Sequence, residues 1–404
     1  MKRIILINRY FFPDTSATSQ ILCDLAFYLA RHENDVHVIT SQQRYEQPDA
    51  RLRRLETIEG VTVHRVSTTR FGRSTLLGRG FDYLSFYGAV WRSVLSVARP
   101  GDIVVAMTDP PLLCLVAMQA TKRRGLHLIN WLQDLYPEVA LELGVPFARG
   151  ALGRPLARLR DRSLRVAAAN VVVGSGMAEK VCARGISLDR IHNIPNWCDD
   201  QQIGAVDGAD NPLRREWGLN EKFVLGYSGN LGRAHEFDTI LAAAERLRDD
   251  HIVFLFIGGG SKFDELNRQV ERRGLNNRFR FLPYQDRTLL KYSLSVADVH
   301  WVSLKPNLEG LIVPSKFYGV AAAGRPIIVI GALDGELGSL VRQHDCGFVV
   351  APGDATALGN ALLRLRTDAE SRAAMGRRAR GMLEAHFTRD HGLARWQNLL
   401  DAIG

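Results

Sequence analysis

The chain has 404 residues, 46% of them hydrophobic and 24% charged, which excludes a mostly disordered chain, a coiled coil or a collagen-like fibre and predicts two or three domains. Its formal charge of +9 is uneven: residues 1–200 carry 26 Lys and Arg against 19 Asp and Glu, and residues 201–404 carry 26 against 24. Such an excess suits nucleic acid, an anionic membrane or a phosphorylated substrate.

The start, MKRIILINRYFF, is too short an apolar run for a signal sequence and reads as a first buried strand. Helical spacing follows over 16–32, then strand-like runs at 35–41 and 60–66. An aromatic-rich apolar helix is predicted at 76–99, a strand at 102–108, a helix to about 125 and a strand at 126–132. Residues 147–167 read as a basic amphipathic helix, with arginines at 149, 154, 158, 160, 162 and 165 and leucines at 152, 156, 159 and 164. Strands at 169–175 and 190–196 complete the first half. The second half repeats the rhythm, with strands at 223–229, 251–260, 279–284, 297–304, 325–331 and 347–353 and helical stretches such as 237–250 and 263–274 between them.

Strands alternating with helices predict parallel sheets covered on both faces. The expected architecture is α/β, with two Rossmann-like domains facing each other across a cleft: residues 1–200, residues 201–385, and a last helix within 386–404 returning to the first domain. The polar segment 198–212 is expected to be the linker. No run approaches the ~18–20 apolar residues that span a bilayer. Five cysteines, at 23, 114, 182, 198 and 346, form no metal-ligand cluster and fit a reducing compartment, so a cytoplasmic, soluble or peripheral protein without a metal is expected.

In open parallel sheets ligands bind beyond the carboxyl ends of the strands, so the loops there matter most. In GYSGNLGRAHEFDTI (226–240), Gly229 and Gly232 permit close backbone approach and the helix N-terminus offers free N–H groups to an anion, with Arg233 expected to supply the positive charge and a His235 imidazolium as its rival. The alternative is a structural strand-to-helix turn. In IVPSKFYGVAAAGRPIIVIG (312–331), Pro314 and Ser315 start a helix, with the serine as its cap. Lys316 then lies in the first turn, where a cation suits the helix dipole only if an anion is bound; the alternative is an ordinary surface lysine. In WLQDLYPE (131–138), Asp134 and Glu138 with Trp131 and Tyr136 suit sugar binding, unless Asp134 merely caps a turn. His37, His64, His127 and His192 alternate within strands and read as core or surface residues. Neither the nicotinamide G-x-G-x-x-G fingerprint after the first strand nor G-x-x-x-x-G-K-[ST] occurs. No nucleic-acid module is apparent.

Taken together, these segments resemble the retaining glycosyltransferases of family four, whose architecture is called GT-B. The resemblance covers essentially the whole length. YFFPDTSATSQ after the first strand resembles the family opening, PNWCD (195–199) the interdomain PNGVD, and SGNLGRAHEFDTILAAA (228–244) the family's glycine-turn segment. FIGGG (256–260) resembles IVGxG, FRFLPY (279–284) the base-binding strand and loop, and AAAGRPIIV (321–329) AMACGTPVV. The PSKFYG form resembles a bacterial branch acting in O-antigen, capsule and exopolysaccharide assembly, including transferases of N-acetyl-L-fucosamine to lipid-linked saccharides.

The resemblance implies a nucleotide-sugar donor, UDP-linked, held by Gly229, Asn230, Gly232, His235, Gly259, Gly260, Pro283, Tyr284, Pro314 and Ser315. It implies a polyprenyl-diphosphate-linked acceptor, no other cofactor and no dedicated nucleophile. Lys316, Arg233, Glu309 and Asp134 are the expected catalytic residues. Several family positions are altered. The two glutamates eight residues apart align with Leu311 and Gly319, leaving Glu309 as the nearest carboxylate, and Asn230 and His235 stand where an arginine and a lysine are usual. Gln133-Asp134 replaces a His-Asp pair. The basic helix and the apolar helix 76–99 suit an anionic membrane surface. A sugar-nucleotide epimerase and a non-catalytic assembly subunit are the alternative functions.

Overall fold

The computed structural model describes residues 3–45, 47, 49, 51–71, 76–150, 153–247 and 251–403. Leu152 and residues 248–250, which the spacing assigns to helices, lie outside the described residues, as do the side chains of Phe147 and Arg149. The chain divides into two units. Unit 1 is Met1–Pro195, Gly310–Ile312 and Gly392–Gly404; unit 2 is Asn196–Glu309 and Val313–His391.

Unit 1 holds an eight-stranded sheet formed by β1 (Arg3–Ile7), β2 (Asp35–Ser41), β3 (Leu55–Ile58), β4 (Val61–Val66), β5 (Ile103–Ala106), β6 (His127–Leu132), β7 (Ala169–Val172) and β8 (Ile191–Asn193). The spatial order is β3-β4-β2-β1-β5-β6-β7-β8. Every pairing is parallel except β3 with β4. That hairpin strand was not expected, because LETI pairs alternate residues at a sheet edge and half its side chains face water. β1, β5 and β7 are buried along nearly their whole length, as strands covered on both faces must be. The helix Leu76–Val97 drives Phe86, Val90 and Val94 into the core over Ile5, Ile7 and Val104.

The carboxyl-terminal residues of the helix Arg389–Ile403 complete unit 1. Trp396 is fully buried, its ring centroid 4.6 Å from that of Trp131. Truncating a buried tryptophan of this kind costs about 3–5 kcal/mol. The short segment 310–312 also belongs here: the Leu135 N–H donates to the Leu311 carbonyl at 2.9 Å.

Unit 2 holds β9 (Phe223–Asn230), β10 (Ile252–Gly259), β11 (Phe279–Leu282), β12 (Val299–Ser303), β13 (Ile327–Ile330) and β14 (Gly347–Val350). Their order is β11-β10-β9-β12-β13-β14, all parallel. Tyr227, Phe254, Phe256, Trp301 and Ile328 form its main core with the helices Asp238–Arg246 and Ala355–Thr367. Small residues after Lys316 let the helix Lys316–Ala322 pack tightly, since a Cβ on Gly376 would stand 2.2 Å from the Gly324 carbonyl oxygen. The segment 198–212, expected to be a free linker, is packed against unit 2. The Arg389 guanidinium pairs with Asp199 at 2.8 Å, and Arg380 donates to the Ile203 carbonyl at 2.7 Å.

In each sheet the chain changes its direction of winding once. The reversal falls between β1 and β5 in unit 1 and between β9 and β12 in unit 2. In open parallel sheets the crevice at such a reversal, beyond the carboxyl ends of the strands, is the usual ligand position.

Candidate active site

The crevice of unit 2 is built from the ends of β9, β10 and β12 and the start of the helix Lys316–Ala322. Gly229, at φ +126°, lies beside the aliphatic stem of Lys316, and its neighbour in register on β10 is Gly258. Gly260, at φ +125°, has no room for a side chain, since a Cβ would meet Asn230 Oδ1 at 2.2 Å. Gly259 and Gly258 lie under the ring of Tyr284, which is 51% exposed and follows β11. Pro283 beside it is also exposed. An exposed ring above backbone without side chains leaves a flat surface on which a base can stack.

Lys316 is the centre of this site. Its ammonium donates to Tyr227 Oη at 2.5 Å, to the Asn230 carbonyl at 3.3 Å and to His235 Nε2 at 3.0 Å. It also stands 4.4 Å from the Tyr227 ring centroid. All of these partners are neutral, and among the described residues no carboxylate pairs with it. Burial lowers the Lys316 pKa from its ordinary value to about 7. Tyr227 is buried against Phe256 and Trp301, and its hydroxyl donates to the Asn230 carbonyl at 2.8 Å. Desolvation raises its pKa and keeps the phenol protonated.

One rival reading and one expectation are corrected here. His235 is not an imidazolium. Its Nδ1–H donates to the Ser303 carbonyl at 2.8 Å, which leaves Nε2 as the acceptor for Lys316. Burial first, then the Lys316 charge, pushes its pKa down to about 3. Ser315 occupies the residue before the helix, but its side chain makes no capping bond. Pro314 beside it is buried, and its carbonyl accepts the Phe317 N–H at 3.2 Å.

Gly232 lies in the same turn as Asn230, and Arg233 projects from it as an exposed side chain. Glu309 is half-buried and engaged: its Oε1 accepts the Glu336 N–H at 2.7 Å, capping the helix Glu336–Gln343. The contributions of Tyr227 and Ser303 were missed from sequence. A tyrosine at the end of the apolar run FVLG was the available signal for Tyr227, because a buried phenol needs a polar partner. Ser303 acts partly through its backbone carbonyl, which side-chain type does not reveal.

In unit 1, Asp134 follows β6 and is half-buried, with its N–H and that of Gln133 each 3.3 Å from Thr108 Oγ1. Burial, and secondly the charge of Asp109 after β5, raises the Asp134 pKa to about 7. Tyr136 is held protonated by burial, with Asp134, Tyr83 and Asp109 as its electrostatic neighbours. The other two residues of that motif are not available for sugar binding. Trp131 is completely buried, and Glu138 pairs with Arg160 at 2.8 Å and with Arg184. Arg160 is thereby removed from the basic face of the helix Gly153–Val166, whereas Arg154, Arg158, Arg162 and Arg165 are exposed beside Leu159 and Val166. His37 and His64, read as inert, hydrogen bond to each other at 2.9 Å, with Asp35 on the far nitrogen of His37.

Residues 17–197 match the family described as "Glycosyl transferase 4-like domain", and residues 210–382 match "Glycosyl transferases group 1". Together they span most of the chain. The chain thus carries a glycosyltransferase 4-like domain followed by a group 1 glycosyltransferase domain. Among its curated relatives is WcaI of Escherichia coli K12, described as a colanic acid biosynthesis glycosyl transferase. It is 26% identical over 351 residues, 84% of this chain and 85% of WcaI. WbjE of Pseudomonas aeruginosa, described as a glycosyltransferase, is 28% identical over 72% of each chain. The fold is GT-B: sucrose-phosphate synthase from Thermosynechococcus elongatus superposes with a TM-score of 0.79 at 19% identity, covering 100% of this chain and 99% of that one. HepE from Anabaena, in complex with UDP, gives 0.73 at 15% identity with both chains fully covered. The enzyme class is therefore a hexosyltransferase-type glycosyltransferase.

Proposed function

We propose that this glycosyltransferase moves a sugar from a UDP-linked donor to a lipid-diphosphate-linked saccharide in surface polysaccharide assembly, with retention at the anomeric carbon. The observation that carries the reading is the lone ammonium of Lys316, held among neutral acceptors at the reversal point of unit 2. A half-buried cation without a counter-ion is prepared for an anion. As the glycosidic bond breaks, negative charge gathers on the diphosphate, and Lys316, with the exposed Arg233 nearby in sequence, offsets it. Tyr284 over Gly258 and Gly259 takes the base. Asp134 orients the acceptor hydroxyl in unit 1. The likeness to WcaI and WbjE supports sugar transfer, and the complex of HepE with UDP supports a uridine donor. An N-acetylated amino sugar such as N-acetyl-L-fucosamine is the first donor to try, on the resemblance of PSKFYG.

The test is a screen of UDP-sugars against a polyprenyl-diphosphate-linked saccharide, with mass detection of product and anomeric analysis by NMR. Conversion of donor to an isomeric nucleotide sugar without acceptor would favour an epimerase. No turnover of any donor would favour a non-catalytic subunit.

The same reading places the protein at an anionic membrane surface, on the cytoplasmic side. Phe71, Leu77, Phe81 and Leu84 are 57–79% exposed. Phe71 and Phe81 are in contact at 5.7 Å. The exposed arginines of the helix Gly153–Val166 supply the charge, each basic residue near an anionic leaflet contributing ~1 kcal/mol. Among the described residues no helix is long and apolar enough to cross a membrane. Vesicles with anionic lipid should bind the protein and release it at high salt, and replacing Arg154, Arg158 and Arg162 by Glu should abolish binding. Salt-insensitive binding to neutral vesicles refutes the electrostatic version.

A further inference from the structure

Arg9 follows β1 directly, at the reversal point of unit 1, and none of the motifs above uses it. It is 5% exposed. Its guanidinium lies 5.5 Å from the Tyr10 ring centroid and 5.1 Å from that of Tyr83. Among the described residues its side chain makes one long hydrogen bond, from Nη2 to Gln43 Oε1 at 3.4 Å, and its buried Nε–H has no partner. Among the described residues no carboxylate pairs with it. The other buried arginines of unit 1 differ in their counter-ions: Arg65, whose Nε is likewise unpartnered, pairs with Glu56, and Arg160 with Glu138 and Asp161. A guanidinium removed from water with an unmade N–H bond is expensive to the fold. Flanking rings stabilise its charge but satisfy none of its in-plane donors.

The surroundings narrow what the missing partner is. Asp109 follows β5, on the other side of the reversal point, and the Arg9 N–H donates to its backbone carbonyl at 2.8 Å. Tyr83 and Tyr87 come from the helix Leu76–Val97, and Arg9, Asp109 and Tyr83 are all electrostatic neighbours of Tyr87. Tyr136 shares Tyr83 and Asp109 and adds Asp134 and Arg79. The crevice thus combines a planar cation, phenols that stay protonated, and a carboxyl beside the place where an acceptor hydroxyl is proposed. We infer that Arg9 is an anion-binding residue of unit 1 that grips phosphoryl oxygens of the acceptor's diphosphate. The fork of guanidinium donors matches two such oxygens at once. This inference rests on the proposed transfer to a phosphorylated acceptor. Phosphoryl chemistry is shared with the donor, so the test must separate the two sources.

The experiment uses the full chain saturated with UDP, so that the donor site is filled, and titrates inorganic pyrophosphate calorimetrically against wild type, Arg9→Met and Arg9→Lys. Wild type is expected to bind pyrophosphate, Arg9→Met to bind it at least ten-fold more weakly, and Arg9→Lys to fall between. UDP affinity measured alone should be unchanged in both variants. A ten-fold loss of UDP affinity with pyrophosphate binding intact would assign Arg9 to the donor and overturn the acceptor assignment. Unchanged binding of both probes would overturn the anion site itself. Stability gives a second readout. Removing an uncompensated buried cation should leave the melting temperature equal or higher, whereas a residue kept only to anchor Tyr10 and Tyr83 should lower it on removal. If Arg9→Met fails to fold, that lowering has occurred in full, and the Arg9→Lys titration still decides whether pyrophosphate is bound here. Should the UDP-sugar screen find transfer but Arg9→Lys leave the acceptor KM unaltered, this inference fails while the transferase reading stands.

Discussion

The two units differ in the sign of the group each presents after its strands: unit 2 has a cation after β12, at its reversal point, and unit 1 a carboxyl after β6, one strand beyond its own. Unit 2 holds an ammonium among neutral acceptors, with a neutral histidine in contact. Unit 1 holds Asp134 close enough to Asp109 to feel its charge. Desolvation acts alike on both, lowering Lys316 to about 7 and raising Asp134 to about 7, each towards its neutral form. What differs is the arriving ligand that each would restore to charge. An anion recharges Lys316, whereas a hydroxyl donor or a cation ionises Asp134.

The sharpest way to break that contrast is to remove the lysine. Lys316→Ala should lower turnover by about two to three orders of magnitude, comparable to deleting one charge-stabilising donor. Its melting temperature should change little, because a half-buried cation with neutral partners contributes little to the fold. Steady-state rates with a saturating UDP-sugar, together with calorimetry of UDP binding, check this. Near wild-type activity would remove Lys316 from the centre of the site.

The matching change in unit 1 should be smaller. Asp134→Asn is expected to reduce kcat/KM for the acceptor about 10- to 100-fold, at or below the lower end of the ~10²–10⁴-fold of a full general acid or base because its proposed role is to orient the hydroxyl, and to leave UDP binding unaltered. It should also change the pH dependence of stability. A carboxyl whose pKa is raised on folding binds more protons in the native than in the unfolded chain between about pH 4 and 7. Its protonated form therefore stabilises the fold at low pH, and that contribution is lost as pH rises through about 7. The variant cannot ionise, so its melting temperature relative to wild type should rise across that window. Parallel melting curves from pH 4 to 8 would refute the buried carboxyl.

Binding of UDP tests the sign in unit 2. Above pH 7 the free protein's Lys316 is increasingly neutral, and a bound diphosphate favours the ammonium, so binding takes up a proton. Affinity should fall by up to about ten-fold per pH unit between pH 7.5 and 9, the limit for one linked proton. In Lys316→Ala this slope should vanish. Calorimetry in buffers of different ionisation enthalpy measures the proton directly, and equal heats across buffers would show that the lysine arrives already charged.

Legibility in the sequence followed physical cause. Thirteen of the strands announced themselves as short apolar runs because both faces of a parallel sheet are buried. The strand Leu55–Ile58 did not, because its only neighbour is β4 and none of its four side chains is fully buried. Lys316 was legible because a cation at a helix start is unfavourable without an anion. The state of His235 was not, since it depends on the Ser303 carbonyl, 68 positions away in the chain, and on burial. Glu138 and Trp131 show the converse: sugar-binding residue types that tertiary contacts committed elsewhere, to Arg160 and to Trp396. Arg9 was passed over because a lone arginine after a strand has no local pattern, and what separates it from Arg65 and Arg160 is the absence, among the described residues, of a carboxylate partner.

The smallest expected effects separate Arg233 from His235. Arg233 is exposed, so its contribution to UDP binding is screened by water, and Arg233→Ala should weaken affinity only about three- to ten-fold, less at high salt. His235 acts by accepting the Lys316 hydrogen bond, and His235→Ala should weaken UDP binding a few-fold by loosening the ammonium. The informative quantity is how that factor varies with pH. With a pKa near 3 in the free protein, the imidazole is neutral at pH 5.5 as at pH 7, so the wild-type to His235→Ala ratio should be the same at both. A ratio that grows steeply towards pH 5.5 would mean that an imidazolium forms against the bound diphosphate. The unit 2 site would then hold two cations in the complex, and the single-charge contrast with unit 1 would no longer hold.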